Sequence, residues 1–153
     1  MTAPSLLALQ RRQQQLDLRS PPDFASQSPT EQLKTLTLQL GVVNMQFMLS
    51  ARTPQRQPAS IRKAFQVALR MANLMNVDLD QRLRALPVQQ ATTGPTHPFV
   101  QITGRMAKAM EATDHFENYP SRAEMEKETV QLAAACLSLA CSRGIKLDRL
   151  RAS

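Results

Sequence analysis

The sequence predicts an all-α protein: a four-helix bundle built from two repeated helical hairpins, with a short N-terminal helix. Three observations lead there. The 153 residues include no Trp, one Tyr, four Gly and eight Met, and they are rich in Leu, Ala, Gln and Arg, which favour helices over sheets. Ser28-Pro29-Thr30-Glu31 and Pro120-Ser121-Arg122-Ala123-Glu124 both read as helix starts. The chain also repeats itself at an offset of 68, Val67–Asp80 superposing on Ala135–Asp148 and matching Leu69 with Leu137, Ala72 with Ala140, Leu79 with Leu147 and Asp80 with Asp148. A repeated supersecondary unit fixes the architecture before any residue chemistry is considered.

Each element has a local reason. Residues 5–18 are strong helix formers with an apolar start, and Ser20-Pro21-Pro22 breaks them off, so a short, loosely docked N-terminal helix is expected. Ser28 and Glu31 form a capping box with Pro29 in the first turn, opening a helix that should run to about Arg52. Its Leu33, Leu36, Leu40, Val43 and Phe47 keep the three-to-four spacing of a buried face, and Leu38, Val42, Met45 and Leu49 widen it. So wide a stripe implies contact with more than one helix.

After the loop at Thr53–Pro58, a second helix to about Met75 carries Ile61, Phe65, Ala68, Ala72 and Met75 inward. Asn76 can end it in the left-handed conformation, and Asp78 can cap a short helix through Leu86. Residues 88–95 read as a linker. A third long helix starts near Thr96-His97-Pro98, with Val100, Met106, Ala109 and Met110 inward, and stops around His115 to Tyr119. Ser121 and Glu124 suggest a second capping box. The fourth helix then carries Val130, Ala134, Leu137 and Cys141 on one face, with Gly144 as its C′ residue and Ile145–Leu150 as a last turn or short helix. The expected division is 1–27 for the N-terminal helix and linker, and one helical domain over 28–153, with repeats at 28–87 and 96–151.

Composition narrows the class of protein. With 42% apolar and 20% charged residues the chain suits one soluble domain with a core. No run of 18 apolar residues and no signal-peptide pattern occurs, so no membrane partner and a cytoplasmic location are the expectation. Cys136 and Cys141 lie five apart on one helix, roughly 140° around its axis, and cannot bridge each other; they read as small core residues.

The net charge of +7 is uneven. Residues 31–95 carry eight Lys and Arg against three acids, and residues 96–153 carry eight against seven. Phosphates, nucleic acid or an acidic partner would be drawn to the first half. A plain soluble basic surface is the simpler account.

The motif of long helix, loop, long helix, then a small residue, a β-branched residue, any residue, Leu and an acid resembles the MazG-like, all-α nucleoside triphosphate pyrophosphohydrolases. Leu69–Asp80 is similar to the end of that family's second metal-binding helix, Gly104–Ala109 to the stretch after the glycine in its first, and Gln39-Leu40-Gly41 to the same place in the first repeat. The likeness spans about residues 32–150. It implies Glu-x-x-Glu on one helix and Glu-x-x-Asp on the next, since carboxylates at i and i+3 share a face and two such pairs can hold Mg²⁺ against a triphosphate.

Carried over residue by residue, those positions are Gln39, Val42, Ser60 and Lys63 in the first repeat, and Ile102, Arg105, Glu128 and Gln131 in the second. One carboxylate of eight remains. The expectation is a protein without the metal-dependent centre and without catalytic residues, acting by binding a nucleotide or a partner, with Glu128 as the one candidate metal ligand. No cofactor is expected unless Mg²⁺ finds acids in another register, such as Glu124, Glu126 and Glu128 with Glu111, Asp114 and Glu117. Acids at the start of a helix are otherwise explained by its dipole.

Two other readings stand beside this one. Arg52, Arg56, Arg62, Lys63, Arg70 and Arg105 are candidates for phosphate or nucleic-acid binding, although no reader motif or interleaved aromatics accompany them. A helical oligomerisation module, forming a homodimer, is suggested by the surplus of apolar positions and by adaptable Met side chains. His97 and His115 lack a metal-ligand spacing, and no nucleophile motif or Gly-rich phosphate loop occurs.

Overall fold

The computed structural model describes residues 5–19, 22–50, 53–86, 98–115 and 118–148. Every regular element among them is helical: α1 (Leu6–Asp17), α2 (Pro22–Ala25), α3 (Pro29–Leu49), α4 (Gln57–Leu74) after a 3-10 turn at Pro54–Arg56, α5 (Leu79–Arg84), α6 (Pro98–Asp114) and α7 (Ser121–Ser142). The long helices close a ring of contacts, α3 on α4, α4 on α7, α7 on α6 and α6 on α3. No described helix is long and apolar enough to cross a membrane. Arg52, the 88–95 linker, His97, Glu117 and the chain beyond Asp148 lie outside the described residues.

Burial follows the spacing of the apolar residues. Leu36, Leu40, Val43 and Phe47 of α3 meet Ile61, Phe65, Ala68 and Ala72 of α4, with Ile102, Met106 and Ala109 of α6 and Leu132 and Cys136 of α7 in one core. Each fully buried Leu or Phe stabilises the fold by roughly 1.5–3 kcal/mol relative to an exposed one. Phe47 and Phe99 meet edge to face at 5.5 Å, joining α3 to α6 in the geometry that ring quadrupoles prefer. The widened half of the α3 stripe departs from expectation: Leu38, Val42, Met45 and Leu49 are exposed.

Helix ends show how local chemistry sets the boundaries. The Ser28 hydroxyl accepts from the Glu31 N–H, and the Ser28 N–H donates to the Glu31 carboxylate at 3.0 Å. That backbone bond, above all, holds the Glu31 carboxyl below the usual carboxylate range, aided by the Ser28 side chain. Its folded pKa lies below its unfolded one, so the stabilisation is present above the unfolded value and is lost as pH falls through the folded value. Glu31→Gln, which keeps the box but removes the charge, should melt below the wild type at neutral pH. The gap should close as pH falls through the lowered folded value; a gap unchanged by acid would show that the charge adds nothing.

The second capping box does not form. Pro120 is the N-cap with no side-chain bond, Ser121 already sits in the first turn, and the Glu124 N–H reaches the Pro120 carbonyl at 3.0 Å. The Glu124 carboxylate instead meets Lys127.

Helices α4 and α7 end alike. Asn76 and Gly144 both take positive φ, at 55° and 62°. The next N–H bonds back over the last turn, Val77 to the Ala72 carbonyl and Ile145 to the Ala140 carbonyl, each at 2.8 Å, in the pattern of the Schellman motif. They then diverge for a reason visible in the sequence. Asp78 accepts from the Gln81 N–H and starts α5, whereas the matching Lys146 has no side-chain acceptor to offer and residues 145–148 form no helix.

The N-terminal helix is docked by polar groups. Gln10, 6% exposed, donates to the Val77 carbonyl at 2.8 Å and accepts from the Leu79 N–H at 3.1 Å, while Asn73 donates to the Gln10 carbonyl at 3.0 Å. Leu9 is the apolar anchor beside them. The loose docking expected from composition is therefore replaced by a specific seam between α1 and α4.

Candidate functional site

The six cations singled out from the sequence divide into three groups. Arg70 is not a surface ligand for phosphate: it is 4% exposed, its Nε lies 3.0 Å from Asp17, and its guanidinium covers the Phe24 ring at 4.2 Å. Burial raises the Asp17 carboxyl above the usual carboxylate range, against the opposing pull of Arg70. Arg105 is also committed. Its Nε and a terminal nitrogen donate to the two oxygens of Glu128 at 2.6 and 2.8 Å, which pushes the guanidinium further up and leaves the expected metal ligand with both oxygens taken. Arg52 lies outside the described residues.

Arg56, Arg62 and Lys63 remain, and the fold adds two that the sequence reading missed. Arg56 precedes α4, and Lys63 lies seven residues on, both exposed. The Arg62 Nε donates to the Lys146 carbonyl at 3.0 Å. Arg143, at the end of α7, reaches the side chain of Gln57 and lies over the Phe47 ring. Arg56, Arg62 and Lys63 thus lie at the first two turns of α4, where Arg143 and the Lys146 backbone meet them, and none of the five has a carboxylate in ion-pair reach among the described residues. The signal for Arg143 and Lys146 was the helix-ending Gly144: its turn sends the chain back across α4, bringing distant cations together.

The start of α4 adds to this field. Its N-cap makes no side-chain bond and its first turn holds no acid, so the positive end of the helix dipole faces the same region without a compensating carboxylate.

Several acids elsewhere sit in ion pairs, whereas Glu31 and Asp78 cap helices and Asp148 keeps a buried oxygen without a hydrogen-bond partner. Lys34 meets Asp114, Lys108 meets Glu111, Arg84 meets Asp80, and both Arg82 and Arg122 meet Glu126. Among the described residues no group of three His, Cys, Asp or Glu gathers, so the alternative acidic register does not assemble there. Of the eight carried-over positions, Gln39, Val42 and Lys63 are exposed, Ser60 and Ile102 are buried, Gln131 is half-buried, and Arg105 and Glu128 meet across α6 and α7 as an ion pair.

Cys136 is buried and its thiol is pushed far up by desolvation, while Cys141, expected on an inward face, is exposed. A half-open cleft of about 510 Å³ lies between Met75–Asp78, α5 and the start of α7, with Arg82, Arg122 and Glu126 on its wall. There the Glu126 carboxylate accepts from both arginines.

Fold and site together define an all-helical protein with a cationic end and no assembled acid cluster among its described residues. No family model matches the chain, and no curated protein or solved structure does.

Proposed function

We propose that this chain is a non-catalytic helical module that binds the phosphate backbone of nucleic acid through the end formed by the start of α4 and the exit from α7. The observation that carries this reading is the gathering of Arg56, Arg62, Lys63, Arg143 and Lys146 with no carboxylate in ion-pair reach among the described residues, while seven of the described acids are held in ion pairs. Such an end concentrates the positive potential of a +7 chain and releases counterions when it meets a polyanion. An open surface suits an extended backbone better than a single enclosed nucleotide, and contacts to phosphates alone carry no base information, so the binding is sequence-indifferent.

The architecture we attach to it is a MazG-like four-helix bundle of two hairpins. The closed ring of helix contacts and the two matching helix exits support it. The pairing of Glu128 with Arg105 supports a loss of metal-dependent hydrolysis. A nucleotide remains the second reading, favoured by the cleft beside Arg82 and Arg122; there a phosphate would have to displace Glu126.

Fluorescence anisotropy with labelled single- and double-stranded oligonucleotides is the test. Binding should weaken with salt along a log–log slope of about −3 to −4, as four or so phosphate contacts require. Arg56→Glu with Lys63→Glu should weaken it about tenfold or more. A flat titration at low salt, or a double variant that binds like the wild type, would sink the proposal.

A further inference from the structure

Of the seven large apolar side chains exposed among the described residues, five lie on α3: Leu38 at 73%, Val42 at 50%, Met45 at 56%, Met48 at 56% and Leu49 at 71%. Scattered exposed apolar residues are ordinary, but five on one helix form a patch. We propose that this face of α3 is the contact surface for a second copy of the same chain, packed antiparallel about a twofold axis.

Four properties favour that occupant. Leu38, Val42, Met45 and Leu49 follow the four-three-four spacing of a helix-pairing seam. This spacing reads the same in both directions, so an antiparallel copy meets it in register, Leu38 opposite Leu49 of the second copy and Val42 opposite Met45. Self-complementarity of this kind is what a twofold interface demands.

Charge points the same way. No charged residue occurs from Thr35 to Ala51. Two copies of a +7 chain repel over most of their surfaces, and this neutral face lets them touch without placing like charges opposite each other.

Area and shape also fit. The five side chains present on the order of 500 Å² per copy, so a twofold contact buries about 1,000 Å², the lower bound for a specific interface. Gly41 lies between Leu38 and Met45 on this side of the helix, and a Cβ there would meet nothing in its own chain. A glycine inside a helix costs about 1 kcal/mol relative to Ala; close approach of a second helix accounts for one that intramolecular packing does not require.

The test is sedimentation velocity on the full chain across a concentration series, with helicity and melting followed by circular dichroism. The wild type should move to twice the chain mass as concentration rises. Val42→Glu and Met45→Lys, both at exposed positions, should each keep the fold and weaken association at least about a hundredfold, because each buries unpaired charge. Mixed together they should restore a dimer, since the antiparallel register puts the new glutamate against the new lysine. Gln101→Glu, an exposed change on α6, should leave the dimer intact. A folded wild type that stays monomeric throughout would overturn the proposal, as would sedimentation of that monomer with lipid vesicles, which would assign the face to a membrane. A dimer that survives Val42→Glu would place the interface elsewhere, and failure of the mixed variants to pair would overturn the antiparallel register.

Discussion

Arg105→Ala should destabilise the fold by about 3 kcal/mol, because it leaves a buried carboxylate with neither charge nor hydrogen-bond compensation. Glu128 has 1% of its side chain exposed, against 46% for Arg105. The arginine reaches in from water to satisfy both oxygens, so removing it strands the partner that has no solvent to turn to. For a domain of this size the melting temperature should fall by roughly 6–12 °C. Replacing the pair together, Arg105→Met with Glu128→Leu, should recover most of the loss, since a well-packed apolar pair of similar volume is often as stable as a buried ion pair. Urea unfolding of the three proteins measures this; an Arg105→Ala variant within about 1 kcal/mol of the wild type would mean that water already satisfies Glu128. Nucleic-acid affinity should not change with Arg105→Ala. That separates Arg105 from the cations around α4, with which the sequence reading grouped it.

What could be read in the sequence depended on how local its physical cause was. The Ser28 box, the Asp78 cap and the left-handed Asn76 and Gly144 depend on backbone groups within a few residues, and all four formed. The second box failed by one residue: Ser121 lies inside the helix that it was expected to cap, and Lys127 supplies Glu124 with an alternative partner. Long-range pairing was less accessible. Nothing near Arg70 in the chain indicates that Asp17 and Phe24 will enclose it, and nothing near Arg105 indicates Glu128. The basic residues singled out from the sequence therefore contained two that the fold spends on its own acids, and omitted Arg143 and Lys146, which the turn at Gly144 brings in from the end of α7. The polar docking of α1 was hidden for the same reason, since Gln10 finds its partners at Val77 and Leu79.

The face of α3 exposes the sharper limit of pattern reading, and a pair of neighbouring substitutions measures it. Leu38 and Leu40 lie two residues apart on one helix, are chemically identical, and both belong to the apolar stripe. Their directions differ by about 160° on a 3.6-residue helix; Leu40 is fully buried and Leu38 is 73% exposed. Leu40→Ala should therefore cost about 2–5 kcal/mol, the lost transfer energy plus the cavity left among side chains that relax only in part. Leu38→Ala should leave the unfolding free energy of the monomer within about 0.5 kcal/mol of the wild type. Denaturant unfolding at a concentration low enough to keep the chain monomeric gives both values. Raising the concentration should then separate the variants a second time: a dimer that buries Leu38 adds a concentration-dependent increment to the wild type, which Leu38→Ala should reduce and Leu40→Ala should retain. An equal cost for the two variants in the monomer would mean that both halves of the stripe are packed within the chain, and the outer face of α3 would then have no need of a partner.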